Sequence, residues 1–353
     1  MLTILSLLKK YDDLILNNAS QISSIESSLR TLTYVLPGRF ADAEFASEAL
    51  FAALNLIGLY HDSILARAAE NLPPSKKPSP SPHNRYTRYW INSSKTYQHA
   101  SLALTFLQYT DVLLEMGVQK KWGKEVKWKL ISIIELIKVI CRIILLYKTH
   151  ERTVIEPTIP KREIDPSVFN SEDLNKSNDD AINHEQRESD TWVGKYTKRV
   201  HDSISIVRKG CVQSSQYYDV NDYLMSKVLM VEDVRKPPDL VHKLHSFGKL
   251  GELLYILRPL IYVIALQKYG NKSWRPWLLS LIIELSTIIL TNSFYKKHIP
   301  GGYRWLSTLE KEERKRRIKQ FFFYILRGPF YEHLTRYQLL NYYHSHYYGR
   351  VIL

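Results

Sequence analysis

Residues 251–290 read GELLYILRPLIYVIALQKYGNKSWRPWLLSLIIELSTIIL and contain two long apolar runs. The runs, 253–266 and 277–290, flank a short basic turn and hold 14 residues each. As an α-helix, a run of this length extends about 21 Å, whereas the hydrocarbon core of a bilayer is about 30 Å thick. The pattern predicts an apolar helical hairpin, short for two ordinary membrane spans, that suits either lipid or the core of a protein.

Each apolar run contains one charged residue, Arg258 in the first and Glu284 in the second. Each lies about nine residues from the turn, so antiparallel arms would place the two side chains at similar depth. We predict an ion pair, because it leaves neither charge alone in the apolar region. In the alternative interpretation, Arg258 reaches solvent at a kink caused by the adjacent Pro259.

A second apolar segment, residues 128–147, reads WKLISIIELIKVICRIILLY and is about long enough to cross a bilayer. It carries Glu135, Lys138 and Arg142 at positions i, i+3 and i+7, which share one face of a helix. An isolated charge at the centre of a membrane helix costs about 2.5–3.5 kcal/mol. The stripe therefore favours a helix that lies at the membrane interface, or that packs its charges against another helix, over a lone span.

The whole chain is apolar and basic. Its 353 residues are 45% hydrophobic, which is enough for a sizeable core, and its formal net charge is +14. Such a surplus favours an anionic partner, such as nucleic acid, acidic lipid headgroups or an acidic protein face. The two cysteines, Cys141 and Cys211, provide neither a disulfide framework nor a metal cluster.

Shifts in composition divide the chain into five regions. Residues 148–190 contain eleven acidic and six basic residues and few apolar ones, which predicts a disordered linker. The predicted regions are N-terminal helices over 1–70, a Pro/Ser linker over 71–85, helices over 86–147, the acidic linker over 148–190, and C-terminal helices over 191–353 that include the hairpin 251–290.

Two details of the helical regions are also predicted. The small residues of the helix predicted over 43–69 suit close packing in water or in lipid, and a buried bundle helix is the favoured interpretation. Gly117 is expected to end the helix that begins near Tyr86.

A basic and aromatic flank over 296–331 follows the hairpin. Residues 296–319 contain nine Lys or Arg and three Glu, and three phenylalanines follow at 321–323. This arrangement favours contact with anionic lipid or an acidic partner. A solvated helix face is the main alternative, and nucleic acid is disfavoured because no nucleic-acid-binding fold is recognisable. The candidate contact residues are Arg314, Lys315, Arg316 and Arg317.

The sequence lacks the motifs of common enzyme classes. It contains no phosphate-binding loop, dinucleotide glycine pattern, nucleophile elbow or zinc-protease motif. His344 and His346 lack a clear third metal ligand and are interpreted as a solvent-facing tail, and Cys141 as a small buried hydrophobe. We therefore predict no catalytic, cofactor-binding or metal-binding residue and no small-molecule substrate.

Five stretches of the chain occur together in the order found in one family. The chain resembles the peroxin-16 family of peroxisome-assembly membrane proteins, and the stretches cover nearly a third of its length. They are LPGRFADAEFASEALFAALNLIGLYHDSIL (36–65), VLLEMGVQKKWG (112–123), WVGKYTKRV (192–200), GELLYILRPLIYVIALQKYGNKSWRPWLL (251–279) and RRIKQFFFYILRGPFYEHLTR (316–336).

The resemblance implies a non-enzymatic protein of peroxisomal membrane biogenesis. Family members help to place other membrane proteins by recruiting the docking factor peroxin 3, and the soluble receptor peroxin 19 handles them. Most members are integral, with two membrane segments and cytosolic termini, although some fungal members are peripheral. In this chain the corresponding segments are 128–147 and roughly 253–279. A basic stretch after the first block serves targeting in relatives, and here only Arg67, Lys76 and Lys77 stand in that region.

Taken together, the residues and the resemblance predict an all-α, multi-helix membrane-associated bundle with a C-terminal apolar hairpin and a disordered acidic linker. The predicted function is a receptor or scaffold in the peroxisomal membrane, reached through the endoplasmic reticulum, with cytosolic termini. Its predicted partners are membrane lipids, peroxin 3 and peroxin 19, and not nucleic acid. The alternatives are a lipid-binding or lipid-handling membrane protein whose helices enclose an acyl chain, and a soluble helical adaptor.

Overall fold

The computed structural model describes residues 2–35, 43–70, 80–163, 191–193, 200–202, 235–270, 273–299 and 302–326. Over these residues the predicted all-α class is confirmed, with a three-residue antiparallel strand pair, β1 (Thr191–Val193) and β2 (Val200–Asp202), as an addition. The helices are α1 (Leu2–Asn17), α2 (Ala19–Val35), α3 (Ala43–Glu70), α4 (Pro82–Ser93), α5 (Lys95–Lys148), α6 (Phe247–Tyr269), α7 (Trp274–His298) and α8 (Thr308–Ile325).

The chain forms two compact units, of which the first comprises Met1–Leu29, Tyr60–Pro78 and Glu163–Val234. In its described part, polar contacts connect the end of α3 to α1 and α2. The buried ring of His61 pairs with Glu26 and lies 2.9 Å from the hydroxyl of Tyr11. The hydroxyl of Tyr60 donates a 3.0 Å hydrogen bond to Asp12. Three helices of this unit are therefore held together by side chains from one turn of α3.

The second unit comprises Arg30–Leu59, Ser79–Arg162 and Arg235–Leu353. Its core contains the aromatic side chains of α4 and early α5, joined by aliphatic residues from the end of α5, from α6 and from α8. Ser81 and Ser94 cap the N-termini of α4 and α5 by accepting hydrogen bonds from backbone N–H groups, as serine commonly does. The buried core members include Tyr86, Trp90, Tyr97, Leu104, Leu145, Ile256 and Leu309.

The helix end predicted at Gly117 is wrong, because α5 continues for 54 residues from Lys95 to Lys148. Its one non-helical residue is Gly123, at φ 83° and ψ −176°. Only glycine adopts such a conformation without strain, so the kink falls there. The apolar segment 128–147 is consequently the second half of a kinked helix.

Residues 148–162, which the sequence analysis assigns to the acidic linker, are instead packed into the second unit. Arg152, Val154 and Ile155 are buried. The backbone N–H of Val154 donates to Glu252 at 3.1 Å, and the guanidinium of Arg152 donates to the carbonyl oxygens of Pro238 and Val241. The segment is ordered because its polar groups find partners in other elements. The rest of the predicted linker, 164–190, lies outside the described residues.

The predicted apolar hairpin is confirmed in α6 and α7. Close contact between its arms depends on two glycines of α6: a Cβ atom on Gly248 would lie 2.7 Å from the ring of Phe294, and one on Gly251 would lie 3.0 Å from Thr291 Oγ1. Small residues at these positions let the helix backbones approach. Helix α8 begins with a capping box between Ser307 and Glu310.

Helix α8 lies along the hairpin and runs in the same direction as α6. Near its middle, Arg317 contacts Glu252 at 2.7 Å; nearer its end, the Tyr324 hydroxyl donates to the carbonyl of Trp277 at 2.5 Å. The rings of Tyr324 and Trp277 are stacked, with centroids 6.1 Å apart. The first half of α8 therefore lies beside the open end of the hairpin, and its aromatic second half lies towards the turn.

A buried histidine joins α4 to the segment over residues 148–162. His83 Nε2 lies 2.9 Å from the carbonyl oxygen of Pro157, and burial lowers the pKa of the ring below its usual value. Stability from this group is complete above the unfolded pKa of about 6.5 and is lost as the pH falls through the lower folded pKa. We expect His83→Gln to reduce the fall in melting temperature on acidification below pH of about 6.5, measured on the detergent-solubilised protein. The same substitution at the exposed His99 should leave the pH profile unchanged, and an unchanged profile in His83→Gln would contradict the assignment.

Candidate membrane-facing surface and its buried charges

Helix α7 has the reverse of the polarity expected of a helix on a water-soluble protein. Its polar residues Ser280, Glu284 and Thr287 are buried, whereas Ile282 and Ile289 are 60% and 63% exposed. In water the apolar stripe of a helix faces the core, whereas polar residues of membrane helices face the interior of the protein. The orientation of α7 is therefore typical of a helix surrounded by lipid. Its other exposed apolar residues are Leu278, Leu279 and Leu285.

The second half of α5 has the same reversed polarity. Its charged stripe faces the protein: Lys138 Nζ lies 2.7 Å from Asp111 and 3.1 Å from Glu135, and Arg142 donates to Glu156 at 2.8 Å. The stripe packs inward, but its contacts are with the first half of the same kinked helix and with the segment after it rather than with another helix. The outward face is apolar and exposed, and consists of Ile133, Leu136, Ile137, Ile140, Ile143 and Ile144.

Aromatic and basic residues lie at both ends of the hairpin. At the turn end, Lys268 and Arg275 lie 5.6 and 5.5 Å from the ring of Tyr269; at the other end, Lys296 and Lys297 are exposed. Lys296 follows Arg275 by 21 positions, which correspond to about 32 Å of helix, close to the 30 Å or so of a bilayer core. Belts of this kind occur where helices leave the hydrocarbon region.

Three helices of the described part are long and apolar enough to cross a membrane. They are Phe247–Tyr269 and Trp274–His298, which form the hairpin, and Glu44–Ala69 in α3. The sequence analysis favoured a buried bundle helix for the last of these. Residues 128–147 are not in this set, because their charges exceed what a simple span carries.

The structure brings Arg258 and Glu284 together within the hairpin. Arg258 Nη1 lies 2.8 Å from Glu284 Oε2, and the two side chains are 16% and 3% exposed. The two groups are not aligned as a hydrogen bond, so the contact is an ion pair. The guanidinium also lies 5.5 Å from the ring of Tyr324, so Arg258 is directed towards α8 rather than towards solvent at the proline.

We expect the two charges to be energetically coupled. Arg258→Ala and Glu284→Ala each leave one charge buried without its partner, a change that costs about 3–5 kcal/mol. The double variant should lose at least about 0.5 kcal/mol less than the sum of the single variants. Denaturant unfolding of the four proteins in the same detergent measures this difference. Strictly additive losses would show that the two side chains are adjacent but not coupled.

A larger network of alternating charges joins four elements of the second unit. Glu156 accepts hydrogen bonds from Arg142 at 2.8 Å and from Arg316 at 2.6 Å. Glu313 accepts from Arg316 and Arg317, and Arg317 also donates to both oxygens of Glu252, at 2.7 and 2.8 Å. We call this set the six-charge network; its members are Arg142, Glu156, Glu252, Glu313, Arg316 and Arg317.

Neighbouring charges favour the ionised forms of Glu313 and Arg317, although both side chains are largely buried. Burial alone would raise the pKa of Glu313, but the neighbouring Arg317 and Arg316 outweigh it and hold the pKa of this carboxyl below its usual value. Burial acts against the charged form of Arg317 as well, and Glu252 and Glu313 overcome it and raise its pKa well above the usual value. The network contains three acidic and three basic side chains, so their formal charges balance.

The four candidate contact residues of the basic run, 314–317, differ in their burial and in their contacts. Arg316 and Arg317 point into the six-charge network, Lys315 is exposed, and Arg314 lines a cavity between α7 and α8. Arg67 lies in the last turn of α3, where its Nε donates to the carbonyl of Ser63 at 3.3 Å. Lys76 and Lys77 lie outside the described residues.

Sequence reasoning missed the acidic partners of this run. The spacing of Glu313 from Arg316 and Arg317, at i+3 and i+4, is a local signal of pairing that could have been used. Glu252 and Glu156 are distant in sequence, and only the fold brings them to α8. Within the residues that the structure describes, no group of three or more His, Cys, Asp or Glu side chains could hold a metal ion.

These features define the class: a helical membrane protein whose apolar helix faces point outward and whose charges are paired between helices. The chain belongs to the family described as "Peroxisomal membrane protein (Pex16)", which matches residues 9–346. The resemblance noted from the sequence is confirmed.

Relatives in three distant organisms support the assignment. The chain is 24% identical to the Arabidopsis thaliana "Peroxisome biogenesis protein 16" over 94% of its length and 90% of the relative. It is 20% identical to the Schizosaccharomyces pombe "Peroxisomal membrane protein PEX16", over 92% of the chain and 87% of the relative. The Dictyostelium discoideum "Peroxisome biogenesis factor 16" is 43% identical over a shorter region, 26% of the chain and 22% of the relative. No solved structure matches the chain.

Proposed function

We propose that this peroxisome biogenesis factor is a receptor or scaffold in the peroxisomal membrane that recruits the factors that insert other membrane proteins. The observation that carries the proposal is the reversed polarity of α7 and of the second half of α5, whose outward faces suit lipid. A protein that these apolar faces anchor in the membrane can present its remaining surface to soluble partners. Recruitment needs only complementary surfaces, so no catalytic step is part of the proposal.

The proposed partners are peroxin 3, as the recruited docking factor, and peroxin 19, as the receptor that handles the chain; both follow from the resemblance to the family. The exposed basic face of α8, which we define as Lys311, Lys315 and Lys319, suits an acidic surface of a recruited factor. In the proposed topology this face and the termini are cytosolic, since basic residues are enriched on that side of membranes. Arrival through the endoplasmic reticulum is part of the same proposal.

The recruitment role can be tested in cells from which the gene has been deleted. We expect a fluorescent peroxisomal membrane protein to be misplaced in these cells and to be placed correctly when the full chain is restored. A variant with Lys311→Glu, Lys315→Glu and Lys319→Glu should remain in the membrane but fail to bind peroxin 3 and to restore placement. The matched control reverses three exposed lysines near the kink of α5, Lys121, Lys124 and Lys129. Correct placement in deleted cells would refute the proposal, and equal effects of the two triple variants would refute the assignment of the α8 face.

A further inference from the structure

Helix α5 folds back on itself at Gly123. Lys138 Nζ lies 2.7 Å from a carboxylate oxygen of Asp111, although the two residues are 27 positions apart. In a straight helix this separation corresponds to about 40 Å, so the helix reverses its direction between them. Residues 95–122 and 124–148 therefore lie side by side and antiparallel, and we call them the first and second arms of α5.

Contacts at both ends of the arms support this arrangement. Near the turn, Lys127 Nζ lies 2.7 Å from a carboxylate oxygen of Glu115. At the other end, the ring of Trp90, which precedes the first arm, lies 5.7 Å from the ring of His150, which follows the second. The positive φ of Gly123 permits so tight a reversal. Helix α5 thus forms a helical hairpin of its own.

The turn of α5 lies at the same end of the second unit as the turn between α6 and α7. Near this end of α6, Gln267 Nε2 donates 2.6 Å hydrogen bonds to the carbonyl oxygen of Trp128 and to the hydroxyl of Ser132. At the opposite end of α6, the ammonium group of Lys249 pairs with Glu151. The second arm of α5 is therefore antiparallel to α6, and the two turns are neighbours.

The first arm of α5 has the reversed polarity already seen in α7. Ser101, Thr105 and Thr110 are buried, and each hydroxyl donates to a carbonyl oxygen three or four residues earlier in the helix. These bonds satisfy the hydroxyls without water. Over residues 102–114 the exposed side chains are apolar except for Gln108, which carries no charge. The large apolar residues exposed on this face are Leu102, Phe106, Val112 and Leu114.

Each hairpin holds an ion pair between its arms. In α5, Asp111 and Lys138 lie 12 and 15 positions from Gly123. Arg258 and Glu284 lie at similar distances from the turn of their own hairpin, so both pairs are roughly 20 Å from the turns. A charge that is paired within the protein avoids much of the cost of an isolated charge in lipid. The charges that oppose a lone span over 128–147 are therefore compatible with a hairpin.

Both arms of α5 are long enough to cross a bilayer. They contain 28 and 25 residues, or about 42 and 38 Å of helix, against about 30 Å for the hydrocarbon core. Beside the turn, Trp122 is 57% exposed and Lys121 Nζ lies 4.7 Å from its ring. Lys268 and Arg275 lie in the same way against a tyrosine at the neighbouring turn. Such pairs of aromatic and basic residues are typical of the membrane interface.

We propose that α5 crosses the membrane as a hairpin, with its turn on the same side as the turn between α6 and α7. The exposed apolar face of the first arm then contacts lipid acyl chains. The first arm is thus a membrane segment in addition to those that the resemblance implies, and residues 128–147 are one arm of a hairpin rather than a lone span. The inference rests on the membrane placement in the proposed function but not on the recruitment of assembly factors.

The test maps the two turns with single cysteines in the full chain, after both native cysteines have been replaced by serine. The new cysteines stand one at a time at the exposed positions Lys95, Lys124, Lys268 and Lys297. Intact peroxisomes are treated with a maleimide that does not cross membranes, before and after permeabilisation. We expect Lys95→Cys and Lys297→Cys to react in intact organelles, and Lys124→Cys and Lys268→Cys to react only after permeabilisation.

The labelling pattern separates this inference from the proposed function. If Lys124→Cys reacted in intact organelles together with Lys95→Cys, the first arm would not cross, and the inference would be overturned. If Lys124→Cys reacted only after the chain was dissolved in detergent, the turn would lie within the bilayer, which also overturns the crossing. Lys268→Cys reports the hairpin on which the proposed function depends, so a failure at Lys124→Cys alone leaves the membrane placement of α7 unchanged.

A second measurement tests the lipid contact of the first arm. A fluorophore attached to Phe106→Cys, a position that is 50% exposed, should be quenched in vesicles by phospholipids with brominated acyl chains. The same fluorophore on Lys95→Cys, at the end of the arm, should be quenched much less. Equal quenching at the two positions would show that this face contacts protein or water, and would overturn its assignment to lipid.

Discussion

Replacing Arg317 with alanine is expected to lower the free energy of unfolding by about 3–5 kcal/mol, the usual cost of removing one partner of a buried ion pair. Arg317 donates to both oxygens of Glu252 and to Glu313, and these two carboxylates are 3% and 2% exposed. Without the guanidinium group, Glu252 would lose the cation that contacts both of its oxygens, and Glu313 would keep Arg316 as its cationic partner among the residues that the structure describes. The loss should fall on the contact of α8 with α6, because Arg317 joins these helices.

The measurement is denaturant unfolding in detergent, with limited proteolysis at α8 as a second readout. Lys315→Ala is the matched control, because Lys315 lies in the same basic run but is exposed; its effect should stay within about 0.5 kcal/mol. If Arg317→Ala had the same free energy of unfolding and the same protease resistance as Lys315→Ala, the six-charge network would have no measurable role in holding α8.

Placing lysines at Ile282 and Ile289 together is expected to release the protein from membranes. These are the most exposed isoleucines of α7, and each lysine at the centre of a membrane helix costs about 2.5–3.5 kcal/mol. Two such changes should offset most of the insertion free energy of a helix that already contains Glu284. After carbonate extraction, we expect the unmodified chain in the pellet and the double variant largely in the supernatant or degraded.

The control places lysine at Ser293, an exposed position near the basic end of the same helix. Ser293→Lys should remain in the pellet, because a long cationic side chain near a helix end reaches the headgroups. If the double variant remained in the pellet to the same extent as the control, the outward face of α7 would contact protein or water. That result would refute the placement of α7 in the membrane.

Features that depend on neighbours in sequence could be predicted. The two apolar runs around the basic turn identified the hairpin. Arg258 and Glu284 lie at similar distances from this turn in the sequence, which is why the sequence placed them at the same depth; in the structure they are 2.8 Å apart. The spacing of Glu135, Lys138 and Arg142 gave the charged stripe. Helical periodicity and antiparallel geometry are sufficient for both.

Features that depend on distant neighbours could not be predicted. The partner of Lys138 is Asp111, 27 residues away, and Glu252 meets Arg317 across 65 residues. Composition also misjudged residues 148–162, because a rule that treats acidic residues as solvated cannot anticipate that Glu156 is held between two arginines. The kink at Gly123 rather than a helix end at Gly117 could not be predicted either, because the sequence does not show which of the two glycines adopts a positive φ.

The six-charge network also constrains the order in which the chain can mature. Its arginines at 316 and 317 are translated after its carboxylates at 156 and 252. When only the hairpin has been synthesised, Glu252 in the first turns of α6 lacks Arg317, and Glu156 has Arg142 but lacks Arg316. Of the helices that the structure describes, α8 is synthesised last, and it completes the network. A chain that stopped before α8 would lack Arg316 and Arg317, so Glu156 would lose one of its two arginines and Glu252 would lose the guanidinium group that contacts both of its oxygens.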